Sequence, residues 1–196
     1  MKKFKDYDSV QSYKQSPQLP IGGYVLSIKE AKLENEGEEN EKLVFYFDID
    51  EGPFRDFYRD NYNNQPGEDK KWKGTYRLWT PKDDGSERDD WAKRRFKTVM
   101  ETFEESNEGF RWEWDEKKLK GLRIGGVFNQ KEYDYNGRTG FFTQCKMLTT
   151  VEAIEKGTFK QPSDDYLDRG NAPAPTSDGN EFMELPAGFD EKLPFA

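Results

Sequence analysis

The stretch Lys42-Leu-Val-Phe-Tyr-Phe-Asp-Ile49 decides the fold class, because aromatic and β-branched residues dominate it and such residues are typical of buried β-strands. The preceding segment, residues 22–33, alternates in polarity, with Tyr24 and Ile28 on the same face of a predicted strand. An acidic turn containing glycine, residues 34–41, separates the two segments. We therefore expect an antiparallel pair of strands at this point in the chain.

Three more strands and a helix follow this pair. Ser86-Glu-Arg-Asp89 has the pattern of a helix capping box, and the apolar residues behind it recur at helical spacing. Asn136-Gly137 is a strong hairpin signal between two further strands. Residues 52–73 are predicted to form a long polar connection between the second and third strands. The predicted strands are 22–33, 42–49, 74–80, 121–133 and 138–148, and the helix is 86–105.

The order β1-β2-β3-α-β4-β5 predicts a mainly β fold, a five-stranded OB-fold barrel with one helix. The same order also permits an open α+β sheet, and the sequence leaves both alternatives open. Residues 1–160 are predicted to form this single domain. From Gln161 onward, Pro, Asp, Ser, Gly and Asn dominate, so residues 161–196 are predicted to be a disordered acidic tail.

Charge is distributed unevenly along the 196 residues, whose formal net charge is −8. Eight acidic and two basic residues lie from Gln161 to the end. The remainder holds 31 acidic and 29 basic residues and is therefore nearly balanced. A body of this composition can carry a basic face despite the acidic total.

The residues available for catalysis are few, and they favour a binding protein over an enzyme. There is no histidine, and Cys145 is the single cysteine, so histidine-based nucleophile arrangements and an intramolecular disulfide are excluded. A nuclease is the minor alternative, because Asp48 and Asp50 lie on one side of a strand end and could bind Mg²⁺ there. We expect no cofactor and no metal. We also expect a cytoplasmic location without a membrane partner, because the chain shows neither a signal peptide nor a spanning segment.

Aromatic and basic residues interleave from Arg55 to Trp79, as expected for a protein that stacks bases and neutralises phosphates. On β3, Tyr76 and Leu78 share one face and Arg77 and Trp79 the other, and the face with Arg77 is predicted to be exposed. Packing of these rings in the core is the competing interpretation for each one. The candidate DNA-binding residues of this segment are Arg55, Tyr58, Arg59, Lys71, Trp72, Lys73, Tyr76, Arg77 and Trp79.

The β4–β5 hairpin is the second candidate contact for a single strand. It carries Lys131, Tyr133, Tyr135 and Arg138 around its turn, although cross-strand packing explains the two tyrosines equally well. A basic cluster on the helix, residues 93–97, is instead predicted to be a salt-bridged solvent face, because acidic residues flank it at helical spacing.

The last residues of the chain combine an acidic pair with an apolar anchor. Such a peptide is suited to dock in a partner's pocket with a basic rim. Lys192 interrupts the acidic run, and Ala196 follows the final Phe. The candidate protein-docking residues are Asp190, Glu191, Leu193, Pro194 and Phe195.

Several motifs together resemble a family of bacteriophage single-stranded-DNA-binding proteins. They are Leu19-Pro-Ile-Gly-Gly-Tyr-Val25, Lys71-Trp-Lys-Gly-Thr-Tyr-Arg77, Trp91-Ala-Lys-Arg-Arg-Phe-Lys97 and Asn136-Gly-Arg-Thr-Gly140. The tip is similar to the acidic tip of bacterial single-stranded-DNA-binding proteins. The resemblance implies an OB-fold that coats single-stranded DNA in phage replication or recombination within the host cytoplasm, and a tip that recruits replication enzymes. The alternative is an accessory protein that binds other proteins and contacts DNA weakly or not at all, and self-association is possible in both cases.

Overall fold

A computed structural model describes Lys5, Tyr7 and residues 17–168. In this part of the chain, five antiparallel strands form one sheet, with helices packed on both of its faces. The strands are β1 (Gly22–Glu34), β2 (Lys42–Ile49), β3 (Thr75–Trp79), β4 (Arg123–Tyr135) and β5 (Arg138–Thr149). The helices are α1 (Phe57–Asn63), α2 (Glu87–Ser106) and α3 (Val151–Glu155), with a 3₁₀ turn at Glu116–Leu119.

All five predicted strands and the long helix are confirmed to within two residues at each end. The sequence missed α1, which lies in the predicted polar connection. A helix of seven residues with little apolar periodicity gives a weak sequence signal, and its stability comes from tertiary contacts.

The sheet order is β3-β2-β1-β4-β5, so β1 lies at the centre. The first half of β1 pairs with β4 and its second half pairs with β2, with a bulge between Ile28 and Glu30. No hydrogen-bonded ladder joins β3 to β5 within residues 17–168, so the sheet is open between them. Residues of β3 and β5 nevertheless come into contact, which means that the sheet is strongly curled.

The core fills the concave side of the curled sheet and is closed by α2. Phe103 of α2 packs on Phe45 with ring centroids 5.4 Å apart, and Phe47 meets Phe128 of β4 edge-on at 6.0 Å. All four rings are almost fully buried. These contacts place the side chains of Phe45 and Phe47 inward, so those of Lys42 and Tyr46 point to the opposite face.

The start of α2 is fixed by side chains that accept backbone hydrogen bonds. The Ser86 hydroxyl caps the Asp89 amide, as the capping pattern predicts. The Asp89 carboxylate turns away to accept from Lys93 and from the amides of Lys82 and Asp83, and these contacts lower the pKa of Asp89 to about 2.

No helix among the described residues is long and apolar enough to cross a lipid bilayer.

A buried carboxylate, Asp48, connects β2 to α1. Its oxygens accept from the backbone amides of Ile49, Tyr58 and Arg59 at 2.9–3.0 Å. Desolvation raises the pKa of Asp48, while these three amides oppose that shift. Asp48 therefore anchors the beginning of α1 on the sheet, where α1 becomes one side of the surface described below.

The outer face of the sheet is covered at one end by α3 and Phe159. A Cβ atom at Gly23 would lie 2.5 Å from the Phe159 ring, and one at Gly125 would lie 2.6 Å from Ile154, so both positions need glycine. This packing closes the outer face over the beginning of β1 and the beginning of β4. α3 and Phe159 do not cover the outer face over the second half of β1, β2 and β3.

The predicted boundary after Lys160 requires a correction. The Gln161 side chain donates to the Phe128 carbonyl at 2.7 Å, and Asp165 exchanges backbone hydrogen bonds of 2.8 Å with Gln130 and Glu132. Residues 161–165 thus lie along β4 and belong to the folded domain, because β4 extends beyond its last pair with β1, Phe128 with Gly22, and leaves backbone groups there to pair. Residues 169–196 lie outside the described residues.

Replacement of Asp48 by Ala should lower the free energy of unfolding by about 2–4 kcal/mol, because it leaves three amides without their acceptor in a buried position. Urea denaturation of the variant measures the loss. Asp60→Ala is the matched control: it removes an exposed carboxylate from the same helix, with an expected change of about 0.5 kcal/mol or less. Equal losses for the two variants would contradict the anchoring role.

Candidate nucleic-acid interface

An open groove of about 710 Å³ crosses the uncovered part of the outer face. Its floor is the second half of β1 with Tyr46 of β2, and α1 and the 3₁₀ turn lie on its two sides. We call it the outer groove. Its lining residues are Lys29, Glu30, Ala31, Lys32, Tyr46, Tyr62, Trp72, Glu116, Lys117 and Lys120.

The α1 side of the outer groove is held in place by polar contacts to backbone. The Trp72 indole donates to the carbonyls of Phe47 and Gly74 at 3.0 and 3.1 Å, which fixes the ring beside the β2–β3 ladder. The Gln65 side chain exchanges two hydrogen bonds of 2.8 Å with the backbone of Lys71. The connection between α1 and β3 is therefore ordered against α1.

The opposite side is the 3₁₀ turn, which is attached directly to β1. The backbone of Ile28 donates to Leu122 at 2.9 Å and accepts from Gly121 at 2.8 Å. The side chain of Leu119 is fully buried below. Lys117 and Lys120 are thereby fixed on the rim, where both are exposed.

Of the three aromatic rings in the outer groove, two are close to a lysine and the third, Trp72, lies beside one of these two. Lys32 Nζ lies 4.8 Å from the centroid of the Tyr46 ring, and the Tyr62 and Trp72 rings are 5.9 Å apart. Lys70 Nζ lies 5.9 Å from the Tyr62 ring. Each ring is partly exposed, so a flat apolar ligand and a nearby anion could be bound together.

The electrostatics of the outer groove favour an anion. Lys29, Lys117 and Lys120 form no ion pair with another described residue, whereas Lys32 has a weak contact of 3.6 Å with Glu30. Four lysines and two glutamates line the surface, so its local charge is positive although the chain is acidic. Partial burial raises the pKa of Tyr46, which keeps its hydroxyl neutral at physiological pH.

The outer face continues from the groove onto β3, where the predicted division of its two faces is confirmed. Tyr76 and Leu78 are buried, and Arg77 is exposed between them. Lys42 Nζ lies 4.2 Å from the Trp79 ring centroid, and the Arg88 guanidinium lies 5.0 Å from it. Arg77 pairs with Glu34 at 3.3 Å. Trp72, Arg77 and Trp79 thus all lie on or beside this face.

Two candidate rings, Tyr58 and Tyr76, are in the core and are not placed to stack on bases. Each is only 6% exposed. Tyr58 packs edge-on against Phe47, and burial raises its pKa strongly. The Tyr76 hydroxyl accepts from Arg95 at 2.6 Å, and burial raises its pKa as well. Tyr76 was misassigned although it lies on the inward face of β3. Tyr58 was misassigned because it belongs to α1, the helix that the sequence did not predict.

The remaining candidates of the segment are exposed cations with different surroundings. Arg59 pairs with Asp56 at 2.9 Å, and Arg55 approaches the same carboxylate at 3.7 Å. Lys71 and Lys73 are exposed on the connection between α1 and β3. The two arginines are therefore partly neutralised by this carboxylate.

The four hairpin candidates share one face of the β4–β5 hairpin. Tyr133 lies opposite Gly140, and Tyr135 lies opposite Arg138. The Tyr133 ring packs near Phe142 at 6.3 Å, whereas Tyr135 is 56% exposed. This hairpin extends past the end of β1 at Gly22. Gly22 itself lies roughly 20–25 Å along β1 from the outer groove. It forms a second surface, and Lys131, which faces Phe142, lies at its base.

The predicted solvent face of α2 is confirmed for Lys93 and Lys97. Lys93 pairs with Asp83 and Asp89 at 2.6 and 2.7 Å, and Lys97 pairs with Glu101 at 3.6 Å. Arg95 differs, because it turns toward the core tyrosine described above.

The minor alternative of a Mg²⁺ site finds no support in the geometry. Asp48 faces the amides of α1, while Asp50 and Glu51 pair with Arg123 at 2.8 and 2.7 Å. Asp48 therefore points away from the other two carboxylates, which are neutralised by the same arginine. Residues 17–168 contain no group of three or more side chains arranged to hold a metal ion.

Sequence reasoning missed much of the outer groove, because its residues come from four separate segments. Tyr62 lies inside the aromatic segment but was not selected. The strict alternation of β2 around Phe45 and Phe47 was a signal for Tyr46, whereas nothing in the sequence connects Lys117 to β1. The missed residues are Lys29, Lys32, Tyr46, Tyr62, Lys117 and Lys120.

The sequence matches no protein-family model, and no curated protein is significantly similar to it. The docking candidates Asp190, Glu191, Leu193, Pro194 and Phe195 lie outside the described residues.

Core and surface rings should respond differently to truncation. Tyr76→Ala should lower the free energy of unfolding by about 3–5 kcal/mol, because it opens a cavity and leaves Arg95 unpaired. Tyr62→Ala should change it by about 1 kcal/mol or less, since the ring is partly exposed on α1. Chemical denaturation tests both, and a similar loss for the two variants would contradict this division of the rings.

Proposed function

We propose that this protein binds single-stranded DNA without sequence preference, along the outer groove and the adjoining face of β3. The observation that carries the proposal is the combination of Tyr46, Tyr62 and Trp72 with four exposed lysines in one open groove. Single-strand binding needs aromatic faces for bases and cations for phosphates, in alternation. An open groove suits a chain that lies along it more than it suits a small molecule, which binds in an enclosed pocket.

The fold that best accommodates this function is an OB-fold, a partly open Greek-key barrel. Supporting it are the curled sheet with β1 at its centre, the contacts of β3 with β5, and the helix α2 between β3 and β4. In such folds the face of strands two and three binds oligonucleotides, and here that face carries Tyr46, Arg77 and Trp79.

We assign the protein a role in phage DNA replication or recombination on the strength of the sequence motifs given above. The protein would coat single strands, and its C-terminal tip would recruit replication enzymes through Phe195 as the apolar anchor, with Asp190 and Glu191 guiding it. The β4–β5 hairpin would add Tyr135 and Arg138 as a second contact on a longer strand. Pull-down from host lysate with and without the last seven residues tests the role of the tip.

Removal of single rings and cations from the outer groove should weaken binding to oligo(dT). Tyr62→Ala should cost about 1–3 kcal/mol of binding free energy, because it removes one stacking ring. Lys117→Ala should reduce the log–log salt slope by about 0.7, the value for one contact to a single strand. Fluorescence anisotropy of labelled oligo(dT) at several salt concentrations measures both effects.

The neighbouring Lys118 provides a matched control for Lys117. Lys118 pairs with Glu113 and does not line the outer groove, so Lys118→Ala should leave the salt slope unchanged. Duplex DNA should bind more weakly than oligo(dT), since paired bases cannot stack on the rings. Equal affinity for duplex and single strand, or equal slopes for the two lysine variants, would refute this site.

Truncation after Asp168 should tighten DNA binding, most strongly at low salt. Residues 169–196 hold five acidic and two basic side chains, and a tethered polyanion competes with DNA at high effective concentration. The cut belongs after Asp168 because residues 161–165 pair with β4. Unchanged low-salt affinity after truncation would exclude this competition.

A further inference from the structure

Trp114 is the most exposed large apolar side chain among the described residues, with 78% of its surface accessible. It does not project freely into solvent. Its ring stacks on Phe96 of α2, with the planes within 8° and the centroids 5.9 Å apart, and the Trp112 ring lies beside it at 6.1 Å. One face of Trp114 is thus supported by a buried ring, and the exposure leaves its other face open.

The backbone of Trp114 is in the left-handed region, with φ at 60°. This conformation is unfavourable for a bulky residue and persists only where the surroundings impose it. The surroundings are present: the Trp112 amide donates to Glu104 at 2.9 Å, and Asp115 caps the 3₁₀ turn through the Lys117 amide at 3.1 Å. Glu113 pairs with Lys118 across the same bend. The chain is therefore held in a strained form that presents the tryptophan.

Trp114 lies close in sequence to one rim of the outer groove. Glu116, only two residues further along the chain, lines the groove, and two residues span at most about 7 Å. Lys117 and Lys120 follow on the same rim. The backbone of Trp114 is therefore next to the rim over which a strand would leave the outer groove.

We propose that Trp114 is a stacking platform for a base at the end of the bound strand, outside the outer groove. This inference rests on the proposed function and adds a further binding residue to it. The rigid stack of Trp114 on Phe96 would be extended by one base, with the adjacent lysines contacting the phosphates that lead to it. Proximity in the chain to the groove rim, where Lys117 and Lys120 lie, favours nucleic acid as the occupant over a second copy of the chain.

Strand length separates this platform from the outer groove. Oligo(dT) of about five and of about sixteen nucleotides represents the range covered by single-strand-binding modules. Trp114→Gly should bind the short oligonucleotide like the parent and the long one about tenfold more weakly, the loss expected for one stacked base. Glycine suits the left-handed backbone, so the variant keeps its fold while losing the ring. Anisotropy of labelled oligonucleotides gives both affinities.

Two further variants complete the design. Trp114→Phe keeps an aromatic face and should retain most of the affinity for the long oligonucleotide. Tyr166→Ala removes another exposed ring, 65% accessible and packed edge-on against Phe141, and should bind both lengths like the parent. Thermal denaturation of each variant checks that the fold is intact.

Each remaining outcome has a definite meaning. Equal binding of the long oligonucleotide by parent and Trp114→Gly overturns the platform, and so does an equal loss for both lengths. A change in sedimentation from dimer to monomer in Trp114→Gly, with DNA affinity unchanged, would make this face a contact between copies instead. Failure of the parent to bind either oligonucleotide overturns the proposed function together with this inference, whereas loss confined to Trp114→Gly and the long strand supports both.

Discussion

The inward packing of Phe45 and Phe47 against Phe103 and Phe128 is the contact on which the rest of the structure depends. Side chains of a strand alternate between faces, so a shift of one residue would exchange the two faces of β2. With these rings inside, Tyr46 must point outward. The same ladder sets which residues of β3 are exposed, and the outer surface follows from the core.

Asp48 extends this constraint from the sheet to the side of the outer groove. A buried carboxylate is costly unless hydrogen bonds compensate, and three backbone amides supply them. Two of those amides begin α1, so the helix that carries Tyr62 is tied to β2. Trp72 makes a similar link from the other end of the connection through the Phe47 carbonyl. The aromatic rings of the groove are therefore held by polar contacts with the sheet backbone.

Charge shows why totals are a weak guide to function. The formal net charge of −8 argues against nucleic acid, yet four lysines share a short stretch of the surface. Many acidic side chains are engaged elsewhere in ion pairs, such as Asp89 with Lys93 and Asp50 with Arg123. A strand of DNA in the outer groove would be affected mainly by the charges of the groove itself. Charges more than about 10 Å away are largely screened by salt.

The sequence by itself determined the strands, the long helix and the division of β3 into a buried and an exposed face, because these depend on periodicity that neighbouring residues share. Only the tertiary structure decided which aromatic residues are core. Tyr58 and Tyr76 fit a binding pattern as well as Trp72 does, but burial depends on what packs above them. The outer groove was likewise beyond the sequence, because its lysines come from β1 and from a 3₁₀ turn nearly ninety residues later. Hydrogen bonds between Ile28 and residues 121–122 bring those segments together, and no local pattern encodes such a contact.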